Sequence, residues 1–362
     1  MKRLWFFLIS GLLLFCTAGS RDTITALDRA MVHAIGIDRA EEGFKVTLQI
    51  FRPDSAGTDT QLDPAKANIF IVSASAPTVG EAMTKCENKL GEFLFIGHNQ
   101  LIVLGSKVSL EQSKRLFSYF IKSKESYLGA KVATAQDASE LLSAELSEGA
   151  VSAQSLAGII DRHVENSDTL ECDLLKAFNA ESSTLLIPQL ALSDSKDDSE
   201  EQSVTVKNTA VYVSGQRILS LDEDTCNGLS LLLGEGDFLT LSLEGKEGTA
   251  AVDAALSRSR PRLTRNGDRL KCSFEVCVYL QNNQSLELLF DKKDLLDQSR
   301  IRLQESCNKA LSLCYETSAD LIGLSDIIRS RYPQLWLDCG GDFDRLLSLT
   351  ELSANVRVEI RQ

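Results

Sequence analysis

Cysteine, histidine and closely spaced arginine are the side chains here with chemistry to offer, and their spacing decides what kind. Three histidines occur, His33, His98 and His163, and none stands at a metal-ligand spacing from Cys, Asp or Glu. His98, in the Gly-His-Asn-Gln that precedes an apolar run, reads as a turn residue rather than a general base. No Gly-x-Ser-x-Gly elbow, no glycine-rich phosphate loop and no Cys beside His offers a nucleophile or a phosphate cradle. The pattern predicts a non-catalytic protein with no cofactor and no metal.

The arginines point to a surface instead. Arg258, Arg260 and Arg262 occupy every second position of Ser-Arg-Ser-Arg-Pro-Arg, with Arg265 close behind. On an extended segment the first three share a face. Such a face is either a solvated strand edge guarded by charge and Pro261 or a contact for lipid headgroups or an acidic partner.

One cysteine has a chemistry of its own. Lys2 and Arg3 precede an apolar run from Leu4 to Phe15, and Thr17, Ala18, Gly19 and Ser20 follow it, the order of a secretory signal. Cys16 stands at the end of that run, with Leu13 in the position lipoprotein processing favours and the bulky Phe15 directly before the thiol. Three outcomes fit the pattern: lipidation at Cys16, ordinary cleavage after Ala18 or Ser20, and retention as a short anchor. Residues 1–19 are therefore set apart from the fold. The remaining cysteines, out of nine in all, are scattered. Cys307 and Cys314 lie seven apart on a predicted helix, so their α-carbons are about 10 Å apart, beyond disulfide reach; buried free thiols are the reading.

The elements that must position these residues follow from periodicity. Val46, Leu48 and Ile50 alternate with Lys45, Thr47 and Gln49, a strand paired with Met31 to Ile37 across the turn Asp-Arg-Ala-Glu-Glu-Gly. The polar stretch 54–66 reads as a surface loop before a third strand. Thr78 and Glu81 form a capping box ahead of Val79, Ala82, Met83, Cys86 and Leu90 at helical spacing. Strands at 99–105 and 129–135, and helices near Leu110 to Ile121, Ala153 to Val164 and Thr169 to Ala180, continue the alternation. The acidic run 193–203 reads as a linker. Beyond it come a strand at Val204 to Val213, a helix from Asp222 to Leu233, and strands at Phe238 to Leu243 and Leu270 to Leu280. A long helix over Asp291 to Tyr315 and a final alternating strand through Val356, Val358 and Ile360 complete the chain.

The fold class is α+β, two or three domains, each a mixed β-sheet with packed α-helices. The divisions are a signal at 1–19, an N-terminal domain at 20–192, a linker at 193–203, a middle domain at 204–265 and a C-terminal domain at 266–362. A net charge of −13 disfavours nucleic acid and broad adhesion to anionic lipid.

Four stretches in order resemble the Ger(x)C family, the C subunits of nutrient germinant receptors in endospore-forming bacteria. They run from His33 to Pro53, Thr78 to Gly105, Thr209 to Glu235 and Ala319 to Trp336. Gly36 and Asp38 match the family's Gly-Ile-Asp turn; Gly91, Phe93, Phe95, Gly97 and His98 match its glycine, aromatic and Gly-His pattern; Asp320, Gly323, Pro333 and Trp336 match its C-terminal pattern. These residues have structural readings as well, glycines for turns and aromatics for cores. The resemblance implies three α+β domains and a lipoprotein held by its lipid on the outer face of the spore inner membrane. It also implies membrane-embedded A and B subunits as partners in a receptor for amino acids, sugars or nucleosides. Where the family carries Gly-Cys-Trp-Asp, this chain has Gly19, Ser20, Arg21 and Asp22, so its nearest thiol is Cys16, four residues earlier. The rival expectation is an extracytoplasmic protein that captures a small molecule between domains.

Overall fold

A computed structural model describes residues 29–51, 69–146, 149–180, 183–193, 203–246, 248–267, 269–281 and 289–361. Cys16 and the whole signal segment, the 54–66 loop and residues 194–202 lie outside the described residues.

Alternating side chains make the first hairpin: β1 (Arg29–Ala40) and β2 (Gly43–Phe51) pair antiparallel, and β3 (Ile69–Ala76) joins β2. The Thr78 side chain accepts the Glu81 N–H and opens α1 (Val79–Leu90). Gly91 closes that helix in the left-handed region at φ 72°, where a side chain is strained. β4 (Phe93–Phe95) and β5 (Leu101–Gly105) return parallel to β1, and α2 (Ser113–Lys122) carries the chain to β6 (Lys131–Ala135), parallel to β5. α3 (Ala138–Ser143), a two-residue ladder of β7 (Glu145–Leu146) with β8 (Gly149–Ala150), α4 (Ala153–Glu165) and α5 (Leu174–Phe178) follow. β9 (Thr184–Leu192), β10 (Val204–Val213) and β11 (Gln216–Leu221) extend the sheet, whose order is β11-β10-β9-β6-β5-β1-β2-β3 with β4 beside β1. Helices cover both faces. Ile102 and Leu104 of β5 face Met83 and Phe117, while Leu101 and Val103 face Leu141 and Leu156, which is why this strand is a continuous apolar run.

α6 (Glu223–Leu233) leads into the second sheet, β12 (Phe238–Gly245), β13 (Gly248–Asn266), β14 (Arg269–Gln281) and β15 (Thr350–Arg361), in that spatial order. β14 and β15 are parallel, and the connection between them carries α7 (Lys292–Thr317), α8 (Leu324–Arg331), α9 (Pro333–Asp338) and α10 (Phe343–Ser348). Cys272, Phe274, Val276 and Val278 of β14 form one core with Leu229, Leu303, Cys307 and Leu311 of α6 and α7. The two helices meet at Gly228, where a Cβ would lie 2.1 Å from the Ser306 carbonyl oxygen. Asp222 to Lys309 and Asp224 to Arg302 ion pairs flank the crossing. All eight described cysteines are free thiols, seven of them buried and Cys277 half-buried.

The α+β class holds, but the strand pairing redraws the expected divisions. The acidic run joins β9 to β10, which are antiparallel neighbours from Val204 opposite Leu192 to Val213 opposite Thr184. Residues 204–221 thus belong to the first sheet. The expected boundary at 265/266 falls at the β13–β14 hairpin, where Arg265 faces Leu270 and Asn266 faces Arg269. Two large sheets, not three, organise the described residues, and the passage between them is α6. A low-complexity acidic sequence does not distinguish a linker between domains from a connection between paired strands.

Candidate interaction surfaces

β13 changes character halfway along. Gly248–Ala255 pair with β12, Ala254 and Ala255 are paired on both sides, and from Leu256 onward, past a register shift between Leu256 and Arg258, the strand pairs with β14 alone. Val252 and Ala254 are buried before the shift, and Ser259, Pro261 and Leu263 turn half inward after it. Arg258, Arg260 and Arg262 are exposed together on the outer face, as alternation predicts. Pro261 sits in this edge segment, where a residue without an N–H is tolerated. Across β14 the three arginines face Cys277, Glu275 and Ser273, and one strand further Arg357 faces Cys277. Arg262 reaches Glu275 at 2.9 Å. Arg258, Arg260 and Arg357 have no ion-pair partner among the described residues. Sequence reasoning misses Arg357: its signal, the Arg357-Glu359-Arg361 alternation, shows a strand but not the strand beside it.

Gly36 and Asp38 do not form a turn; both lie inside β1. Gly36 lets α3 approach, since a Cβ there would meet Leu142 Cδ1 at 3.0 Å. Asp38 is 8 % exposed and accepts the N–H groups of Ala138 at 2.8 Å and Ser139 at 2.9 Å, binding the first turn of α3 to the sheet. Burial raises its carboxyl above the ordinary range, those two N–H groups and Lys45 pull it back, and Asp137 pushes with burial. Gly105 on the adjacent strand clears the space: a Cβ there would fall 2.0 Å from Asp38 Oδ1. Asp320 repeats the device, accepting Leu324 N–H at 2.7 Å and Ser325 N–H at 2.8 Å at the start of α8, while its own N–H donates to Thr184 Oγ1 in the first sheet. Burial raises this carboxyl too. A Cβ on Gly97 would press on Phe95 at 2.7 Å. His98 is exposed with its ring edge-on to Phe95, and Trp336 packs half-buried against the second core. These residues hold the fold; they do not converge on one site.

Concavity appears elsewhere. A cleft of about 680 Å³ opens where the β1–β2 turn meets the N-terminal ends of α1 and α2, lined by Arg39, Glu42, Phe44, Lys107, Glu111 and Arg115 among others. The Arg39 guanidinium stacks over the Phe44 ring, 5.1 Å from its centroid. Glu111 is engaged by Gln216 and Ser109. Arg39, Lys107 and Arg115 have no ion-pair partner among the described residues. Nothing in the sequence flags this cleft, because its cations come from three separated segments. Among the described residues no three His, Cys, Asp or Glu side chains gather as a metal site, and no helix is long and apolar enough to cross a membrane.

Two helix-covered sheets, one open charged face and one cleft lined by charges of both signs define a two-sheet α+β protein built around surfaces. Residues 24–192 match the spore germination protein N-terminal domain, and residues 207–362 match the spore germination B3/GerAC-like C-terminal domain. The chain belongs to the Ger(x)C family, and at the level of that family it is a C subunit of a germinant receptor, part of a receptor complex. A crystal structure of the GerBC protein has the same fold, with a TM-score of 0.50 and 15 % identity over 91 % of this chain and 97 % of that one. No curated protein matches the chain.

Proposed function

We propose that this chain is a non-catalytic subunit of a spore nutrient germinant receptor, tethered to the outer face of the spore inner membrane and working beside membrane-embedded A and B subunits. Its task in this reading is assembly or signalling, not chemistry. The observation that carries it is the pair of germination-domain matches that together span both sheets. The arginine face of the second sheet is where an acidic partner surface docks. Unpaired exposed cations add little to the stability of the free chain but steer and register an oppositely charged partner. The tether lies in residues 1–19, through a lipid on Cys16 or through the retained apolar run. Spores of the native host lacking this gene and its close relatives should fail to germinate with at least one nutrient; normal germination with every nutrient tested would sink the reading. Replacing Arg258, Arg260 and Arg262 together by Ser should lower receptor levels in the inner membrane while the purified variant melts as the parent does. Mass spectrometry of the mature N-terminus separates an acylated Cys16 from a free end after Ala18 or Ser20.

A second reading rests on the cleft. Three unpaired cations beside the Phe44 ring suit a small anion with an apolar part, which would make this subunit a ligand-capturing protein. A thermal-shift screen of amino acids, sugars and nucleosides with the purified protein tests it: a saturable stabilisation lost in Arg39→Ala supports capture, and no shift from any compound rejects it.

A further inference from the structure

The end of the first sheet from which the chain emerges at Arg29 has an unusual surface. β1, β4 and β6 run parallel and begin there, with Arg29 beside Phe93 in register. Arg29 is fixed by a 2.9 Å ion pair to Glu125 and by stacking 5.4 Å over the Phe95 ring. The 123–126 turn is pressed against the other side of the same feature, since a Cβ on Gly97 would lie 3.0 Å from the Glu125 carbonyl oxygen. Around this fixed point three large apolar side chains stand in solvent: Phe93 is 58 % exposed, Tyr127 57 % and Leu128 42 %. Lys122, the last residue of α2, and Lys124 just beyond it are exposed and have no ion-pair partner among the described residues.

Aromatic and aliphatic tips set among lysines are the composition of a surface that enters the headgroup zone of a bilayer: rings sit at the interface and ammonium groups reach phosphates. Position gives the second argument. Residues 16–28 separate the apolar run ending at Phe15 from Arg29, thirteen residues that span at most about 45 Å when extended. A leash of that length permits this end of the sheet to reach the bilayer without forcing it there. The exposed side chains supply the force, acting at a local concentration that the leash keeps high. We propose that this end of the first sheet rests on the phospholipid surface, with Phe93, Tyr127 and Leu128 in the headgroup zone and Lys122 and Lys124 at lipid phosphates. The proposal rests on the tethered-subunit reading, and it adds an orientation: the first sheet stands with the starts of its parallel strands toward the membrane. The cleft, at the opposite ends of β1 and β5, then faces away.

Hydroxyl-radical footprinting tests it on the full-length chain reconstituted into phosphatidylcholine vesicles containing phosphatidylglycerol. Tyr315, 45 % exposed on α7, is the internal reference. The expected result is oxidation of Phe93 and Tyr127 about fivefold slower than Tyr315 after correction for intrinsic reactivity, although both are more exposed in the protein itself. In the variant Lys122→Glu/Lys124→Glu/Leu128→Ser all three residues should react alike. A chain that floats with the vesicles while Phe93 and Tyr127 react as fast as Tyr315 keeps its tether and overturns the orientation. A chain that does not float removes the tether reading, and this inference with it. Protection found in spore inner membranes but absent in pure lipid vesicles assigns the patch to a protein partner and overturns the lipid contact.

Discussion

Gly105→Ala would strike the fold at one oxygen atom. The new Cβ lands 2.0 Å from Asp38 Oδ1 and 3.1 Å from its Cγ, so the carboxylate must retreat by more than about 1 Å to reach ordinary contact. Its two bonds to the first turn of α3, at 2.8 and 2.9 Å, cannot both survive that retreat. Hydrogen bonds to a charged group are worth about 1.5 to 3 kcal/mol each, so the substitution should cost about 3 to 5 kcal/mol. With a urea slope of about 3 kcal/mol per molar, the midpoint falls by about 1 to 2 M. Urea unfolding of the purified protein, followed by circular dichroism, reads the effect. A double-mutant cycle makes the test specific. Asp38→Ala alone loses the same two bonds, but with the carboxylate gone the methyl group introduced by Gly105→Ala has nothing to collide with. The second substitution should therefore add less than about 1 kcal/mol on the Asp38→Ala background, a coupling of at least about 2 kcal/mol. Additive losses, or a Gly105→Ala cost below about 1 kcal/mol in the parent, would refute the claim that Gly105 exists to make room for Asp38.

Four further outcomes are expected. Gly228→Ala drives a Cβ to 2.1 Å from the Ser306 carbonyl and should lower the melting temperature through a loss of about 1 to 3 kcal/mol; an unchanged melt would mean that α6 and α7 part freely. Burial holds the Asp38, Asp168 and Asp320 carboxyls above their ordinary range. Their contribution to stability is thus full below the unfolded carboxyl pKa of about 4 and declines as pH rises through their raised folded values, so Asp320→Asn should flatten the change in urea midpoint between pH 4 and 7. Asp222 has the opposite sign: burial works to raise it, but Lys309 and Thr225 prevail and bring it to about 2, so its contribution is lost as pH falls below about 4. Thiol labelling at pH 8 should modify Cys277 first among the described cysteines. Burial pushes Cys86 and Cys272 up to about 11 and Cys226, Cys307 and Cys314 up to about 12. Rapid labelling of any of these five in the folded protein would contradict the packing described.

What is legible in the sequence is local. The alternation of Lys45 to Phe51 and the Thr78/Glu81 box place a hairpin and a helix start because each depends on neighbours a few residues away. The helix expected at Thr169 to Ala180 shrinks to Leu174–Phe178, because Cys172 and Asp173 are recruited as a partial strand beside β6, with Val132 N–H donating to Cys172 carbonyl at 2.7 Å. Gly36 and Asp38 resemble a turn because turns favour both residue types. In the fold one is small so that a helix can approach, and the other is an acceptor for that helix. The arginine stripe is visible as a stripe, but its neighbour Arg357 depends on a parallel pairing across the whole α7 to α10 connection. Pairing at that distance leaves no trace in periodicity, and the same holds for the three segments that line the cleft.

The pairing of β9 with β10 has a consequence for how this family can vary. The two germination-domain matches part between residues 192 and 207, yet in space the strands on either side of that junction form one ladder running from Val204–Leu192 to Val213–Thr184. Two segments joined at such a seam are not independent beads. A newcomer's first strand must match the alternation and twist of its host's last one, or the sheet is left with a raw edge. No such match is asked of the acidic sequence between them. Divergence should therefore be held back in the strands on either side of the acidic run more than in the run itself, so that the more variable and the more constrained residues of the junction lie side by side.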